Sequence, residues 1–256
     1  CFVHTVAGGE EAFQRYSEQL DRKMKKRGVG TEGVAESELN GAILRVASDL
    51  YSTTPTLAAI ADSGSIGHSV AVLGRSCVLT GLRTRLDRSV LLLAPFLHLY
   101  PTLHPSEQHY CRWLTLLMEM DNHLPHVADI PDQARNVMLR VKSTRARLHE
   151  HLAALHERHA ASNPSAEGAL GVASLVEGWL STGLVNSLSS QSLFWWWDQC
   201  FILGWDALEG ACGRLLLKLE AEFLRCSAWD AALRVVVEQP YKLTPARLKD
   251  CFADQE

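Results

Sequence analysis

The chain has 256 residues, 47% of them hydrophobic, which is enough for one large core or two small ones. Its formal net charge is −4 with Lys and Arg spread along the chain, so no basic face is implied and nucleic acid is not an expected partner. Seven cysteines without a repeated spacing, and with no CxxC pair, argue for reduced thiols and against both a disulfide framework and a cysteine zinc site.

The first residue is Cys1 rather than Met, and the chain is expected to be a segment of a longer protein, with any targeting signal outside it. Residues 28–37, rich in Gly and acidic side chains, read as a loop. Leu39, Ile43, Leu44, Val46, Ala47 and Leu50 then recur at the three- and four-residue spacing of a buried helix face. The longest strongly apolar stretch, residues 90–100, is too short to span a bilayer and carries His98, so no transmembrane segment is expected. Leu139, Val141, Leu148, Leu152 and Leu155 predict one long helix with charges on its wet side. Residues 161–171, with Asn163, Pro164, Ser165, Gly168 and Gly171, have turn chemistry and read as a second loop.

From Leu208 the apolar positions run Ala211, Cys212, Leu215, Leu216, Leu219, Phe223 and Cys226, again one helix face. Val235, Val236 and Val237 form a short run close to helix formers and do not predict a sheet. Thr244-Pro245 is an N-cap followed by proline at the first helical position, so a last helix should begin there. The reading is an all-α fold without internal repeats. Its expected organisation is an N-terminal helix and loop over residues 1–39, one helical lobe over 40–160, the loop at 161–171, and a second lobe over 172–256.

The most distinctive stretch is residues 179–219, WLSTGLVNSLSSQSLFWWWDQCFILGWDALEGACGRLLLKL. It resembles the TBC domain of Rab GTPase-activating proteins, which has a Trp-bearing helix, a short turn, a hydrophobic-Trp-Asp pair, a Gly and a long apolar helix. Trp179, the pair Trp197-Asp198 and Gly204 match those features in order. LLAPFLHL at residues 92–99, with Pro95, looks like the helix after the family's glutamine motif. Leu148-His149-Glu150-His151-Leu152 looks like its leucine-x-x-His-Leu segment. The resemblance covers roughly residues 40–240 and implies a two-lobed helical domain.

TBC domains accelerate GTP hydrolysis with an arginine from an IxxDxxR motif and a glutamine from a YxQ motif. An arginine supplied in trans is worth roughly 10³ to 10⁵ in rate, because it offsets the charge on the transferring phosphoryl group. The stretch Val46-Ala47-Ser48-Asp49-Leu50-Tyr51-Ser52-Thr53-Thr54-Pro55 is similar to the first motif in its apolar start, Asp49 and Pro55. Ser52 stands where the arginine belongs. The second motif falls on Arg85-Leu86-Asp87, with Asp87 in place of the glutamine and Arg88 in place of the following Gly. A serine has neither the charge nor the reach of a guanidinium, and an aspartate near a γ-phosphate adds repulsion. The resemblance thus implies a domain without the usual catalytic pair, its finger positions still expected on one groove. Arg85 and Arg88 are the candidate substitutes, against the blander reading of solvated charges.

Phe194-Trp195-Trp196-Trp197 cannot form one aromatic face, because consecutive helical residues point about 100° apart. Trp197 is expected in the core and at least one of Trp195 and Trp196 partly exposed. Histidines cluster at His98, His104, His109, His123 and His126, and at His149, His151, His156 and His159. His156 and His159 have ligand spacing, but without an HExxH or a nearby cysteine no metal site and no cofactor are expected. A phosphate-binding Gly loop and a GxSxG elbow are both absent.

The expectation is a non-catalytic TBC-like module that binds a protein partner, either a small GTPase or a scaffold complex. The alternatives are a working GTPase activator using Arg85 or Arg88, and a helical structural domain unrelated to GTPases. The resemblance implies a cytoplasmic setting, and degenerate members of the family occur in scaffolds of endomembranes, nutrient signalling and cilia.

Overall fold

A computed structural model describes residues 14–15, 18–19, 22, 33–61, 64–80, 86–99, 105–162 and 171–252. The described residues are helical with no β-strand, and fall into two compact units, residues 1–123 and 124–256. The expected 161–171 boundary therefore lies within the second unit.

The first unit holds α1 (Gly33–Thr53), α2 (Pro55–Ile60), α3 (Ser65–Thr80), α4 (Leu86–Leu99) and α5 (Glu107–His123). Helix α1 packs against α3 and α4, and α5 closes over α3 and α4. Gly33–Ser37, read as loop, belongs to α1, where Ala35, Glu36 and Glu38 carry good helix propensity. The predicted face of α1 is present in Ile43 and Ala47, both wholly buried, but Leu44 is exposed. Pro55 ends this helix. Its ring disfavours helical backbone at the residue before it, and Thr54 is extended at φ −95°, ψ 113°.

Helix α4 is the most apolar element of this unit: Val90 through Leu97 are all buried, Pro95 among them. It is hydrophobic on every side because α1, α2, α3 and α5 all pack on it.

The second unit holds α6 (Ile130–Thr144), α7 (Ala146–Ser162), α8 (Ser174–Thr182), α9 (Ser190–Leu203), α10 (Ala207–Lys218), α11 (Glu220–Leu224), α12 (Trp229–Tyr241) and α13 (Pro245–Leu248). Two 3₁₀ turns, Gly171–Ala173 and Lys249–Cys251, complete it. Helix α6 packs against α7, α8 and α10. The single helix expected from Leu139 to Leu155 is two, α6 and α7. Arg145 breaks it at φ −143°, ψ 73°, and Leu139 stands exposed on α6. Apolar spacing alone continues across that corner, because Val141 and Leu148 on either side both reach the core.

The run from Leu208 to Cys226 is buried at every position named above, although α10 gives way to the short α11 at Leu219. The Val235–Val237 triplet lies inside α12, and Thr244-Pro245 opens α13. Ala161 and Ser162 end α7 and Gly171 begins a 3₁₀ turn, while residues 163–170 lie outside the described set.

Candidate functional site

Ser52 is the penultimate residue of α1, at the end that Pro55 enforces. It is exposed, as is Asp49 one turn earlier. The hydroxyls of Ser52 and Thr53 both donate to the Asp49 carbonyl at 2.8 Å, so each bonds back to its own helix. Asp87 is the second residue of α4 and is exposed in its first turn, where a carboxylate complements the positive end of the helix dipole. Helices α1 and α4 pack directly against one another. Ser52 and Asp87 therefore stand on the surface at the ends of helices that pack together. Neither carries a cation.

Arg88 is not the solvated charge that its place in the sequence suggests. Its side chain is 8% exposed, and its Nη2 meets Asp121 Oδ1 of α5 at 3.0 Å, while Asp121 is 60% exposed. A guanidinium held in this way ties α4 to α5. Reaching a phosphoryl group outside would mean drawing a buried guanidinium away from its partner, which costs more than moving an exposed one. Arg75, the other arginine described near this motif, donates to the Ala71 carbonyl at 3.0 Å and lies 4.4 Å over the Tyr110 ring. Arg83 and Arg85 lie outside the described residues.

The stretch that carries the family resemblance is a packed core. Trp179 on α8 is wholly buried, and its Nε1 donates to Ser187 Oγ at 2.9 Å and to the Val236 carbonyl at 3.1 Å. Trp197 on α9 is equally buried and donates to the Gly183 carbonyl at 2.9 Å. Gly183 caps α8 in the left-handed region at φ +57°, where a Cβ is disfavoured. Gly204 ends α9 at φ +91° and is exposed. Asp198, next to Trp197, is half-buried, and burial pushes its carboxyl above the usual range. Trp196 is wholly buried and Trp195 half-buried, both edge-on to Phe252. The aromatic run therefore serves mainly as packing.

Three of the histidines of α7 meet other elements of the second unit. His151 bonds the Cys226 carbonyl at 3.1 Å, His156 stacks edge-on to Trp229 at 4.8 Å, and His159 lies 3.9 Å from Asp230. His149 is held below its ordinary pKa by burial and by the charge of Lys142. Among the described residues no group of three or more His, Cys, Asp and Glu side chains is placed to hold a metal. No helix among them is long and apolar enough to cross a membrane.

One feature of this surface was not anticipated from the even spread of charge. Residues 133–149 hold Arg135, Arg140, Lys142, Arg145 and Arg147 and no acid, running along α6 and round the corner into α7. Counting acids over a sliding window would have found it.

No family model matches the chain, and no curated protein does.

Proposed function

We propose that the chain is a non-catalytic TBC-like module that works by binding a protein partner, a small GTPase or a scaffold component. The observation that supports this reading best is the state of the finger positions. Ser52 and Asp87 are exposed on adjoining helices, and Arg88, a candidate replacement, is largely buried against Asp121. A surface that offers a hydroxyl and a carboxylate can take part in recognition. It does not stabilise the charge that builds on a transferring phosphoryl group.

The test is paired binding and turnover. Rab proteins loaded with GTP or GDP are captured on the immobilised chain, and single-turnover hydrolysis is measured for each. The expected result is hydrolysis unchanged across the panel, with or without binding. An acceleration of about 10²-fold or more, lost in Arg85→Ala, would instead make the chain an enzyme with a non-standard arginine.

A further inference from the structure

We propose that the α6–α7 corner docks the chain on an anionic membrane surface, with Leu139 as its apolar contact. This does not rest on the TBC-like reading. In a chain of net charge −4, five cations gather within seventeen residues that contain no acid. Lys142 through Arg147 are six consecutive exposed residues, spanning the last turn of α6 and the start of α7.

Three of the arginines have acidic neighbours: Arg135 pairs with Asp132, Arg140 with Glu209 and Arg145 with Glu220. All three arginine side chains remain more than half exposed, at 51%, 62% and 58%. The Arg135–Asp132 pair is exposed on both sides and worth little, whereas Glu209 and Glu220, 17% and 28% exposed, hold Arg140 and Arg145 more firmly, so the corner's attraction rests chiefly on Lys142 and Arg147. Lys142 and Arg147 make no ion pair among the described residues. Leu139 is 61% exposed, with Arg135 four residues before it and Lys142 three after, which places both cations beside it on one helix face.

The form of the corner selects the occupant. A peptide partner of this charge would need a groove with walls, whereas six successive exposed residues make a projection. A bilayer is flat and receives a projection. Its acidic headgroups take the cations, whose stems lie along the surface, and its acyl boundary takes the leucine. A nucleic-acid backbone would satisfy the cations but has no use for an apolar side chain at their centre.

The experiment is co-sedimentation of the full chain with phosphatidylcholine vesicles, with and without roughly one-third phosphatidylserine. Binding to the acidic vesicles alone is expected, weakening between ~0.05 and ~0.3 M salt as the Debye length shortens. Lys142→Glu with Arg147→Glu should lower partitioning on the order of tenfold or more. Leu139→Ser should lower it less, and Lys142→Arg with Arg147→Lys should preserve it. All these side chains are exposed, so the melting temperatures of the variants should match the parent's. The proposal is overturned if the chain stays in the supernatant at low salt, pellets equally with neutral vesicles, or binds unchanged in the double-Glu variant. Retention on double-stranded DNA without vesicle binding would also overturn it, and assign the corner to nucleic acid.

Discussion

The indole nitrogen of Trp197 donates to the Gly183 carbonyl at 2.9 Å, and it also lies 2.9 Å from where a Cβ at position 183 would stand. One contact thus fixes both residues. The tryptophan needs a backbone acceptor at the end of α8, and the acceptor's residue has no space for a side chain. Its left-handed φ of +57° favours glycine independently. Trp197→Ala should cost ~3–5 kcal/mol, the range for losing a large core aromatic. Trp197→Phe keeps most of the packing and should cost about 1–3 kcal/mol through the unmade hydrogen bond. Gly183→Ala should cost at least ~1 kcal/mol from the backbone alone. Urea denaturation gives all three. A Trp197→Ala variant melting within ~2 °C of the parent would remove Trp197 from the core.

Arg88 and Asp121 make a second measurable pair. Breaking a fully buried pair costs about 3–5 kcal/mol. Here Asp121 reaches water, so the cost of Arg88→Ala should be nearer ~2 kcal/mol, and that of Asp121→Asn no greater. A double-mutant cycle should give a coupling of at least ~0.5 kcal/mol. Zero coupling would mean that the two side chains do not hold α4 to α5 in solution. The result bears on function as well. If Arg88→Ala unfolds part of the first unit, its effect on any GTPase assay reports structure, and Asp121→Asn is the control.

Periodicity was a sound guide wherever a helix had one buried face. Ile43, Ala47, Leu215, Leu216 and Leu219 are all buried as their spacing predicts. It failed at Arg145, because a sharp corner can keep the apolar spacing while the chain changes direction. It failed at Leu44 and Leu139, whose hydrophobicity says nothing about which neighbour is absent. The role of Arg88 was illegible for a different reason. Its partner Asp121 lies 33 positions away on another helix, and no local pattern announces a tertiary ion pair. Ser52 and Asp87 were singled out by the resemblance alone, since a serine and an aspartate have no signature of their own. The cationic corner was fully present in the sequence but hidden by a balanced overall composition.

The thiols set a pH limit on stability. Cys200 on α9, Cys212 on α10 and Cys251 in the last 3₁₀ turn are buried together, and burial drives their ionisation upward. Cys200 is pushed up to about 12 and Cys251 to about 11, with Cys212 well above the ordinary value of 9.0. Above pH 9 the unfolded chain releases these protons while the folded chain keeps them. The folded state is then disfavoured by as much as ~1.4 kcal/mol per thiol per pH unit. This stabilisation is complete below pH 9 and is lost as pH rises through the folded values. Replacing Cys212 by Ala or Val should flatten the decline between pH 9 and 11 in urea titrations. An unchanged slope would mean that the thiol ionises equally in both states. At pH 8 the same burial should make alkylation of all three thiols slow until the protein is unfolded.

The finger positions allow a test by restoration, which rests on the TBC-like reading. Ser52 and Asp87 are both exposed, so Ser52→Arg and Asp87→Gln should leave stability within about 0.5 kcal/mol of the parent. Their helices pack against one another. If the surface still receives a GTPase, the double variant should accelerate its hydrolysis by about 10²-fold or more. Ser52→Arg alone should give less, because the Asp87 carboxylate would still oppose charge on the phosphoryl group. The measurement is single-turnover hydrolysis on whichever Rab the parent chain captures. Capture without acceleration would show that the two positions are not the finger positions, and that the motif alignment is wrong. Failure of both parent and double variant to capture any GTPase would leave the module with scaffolding contacts alone.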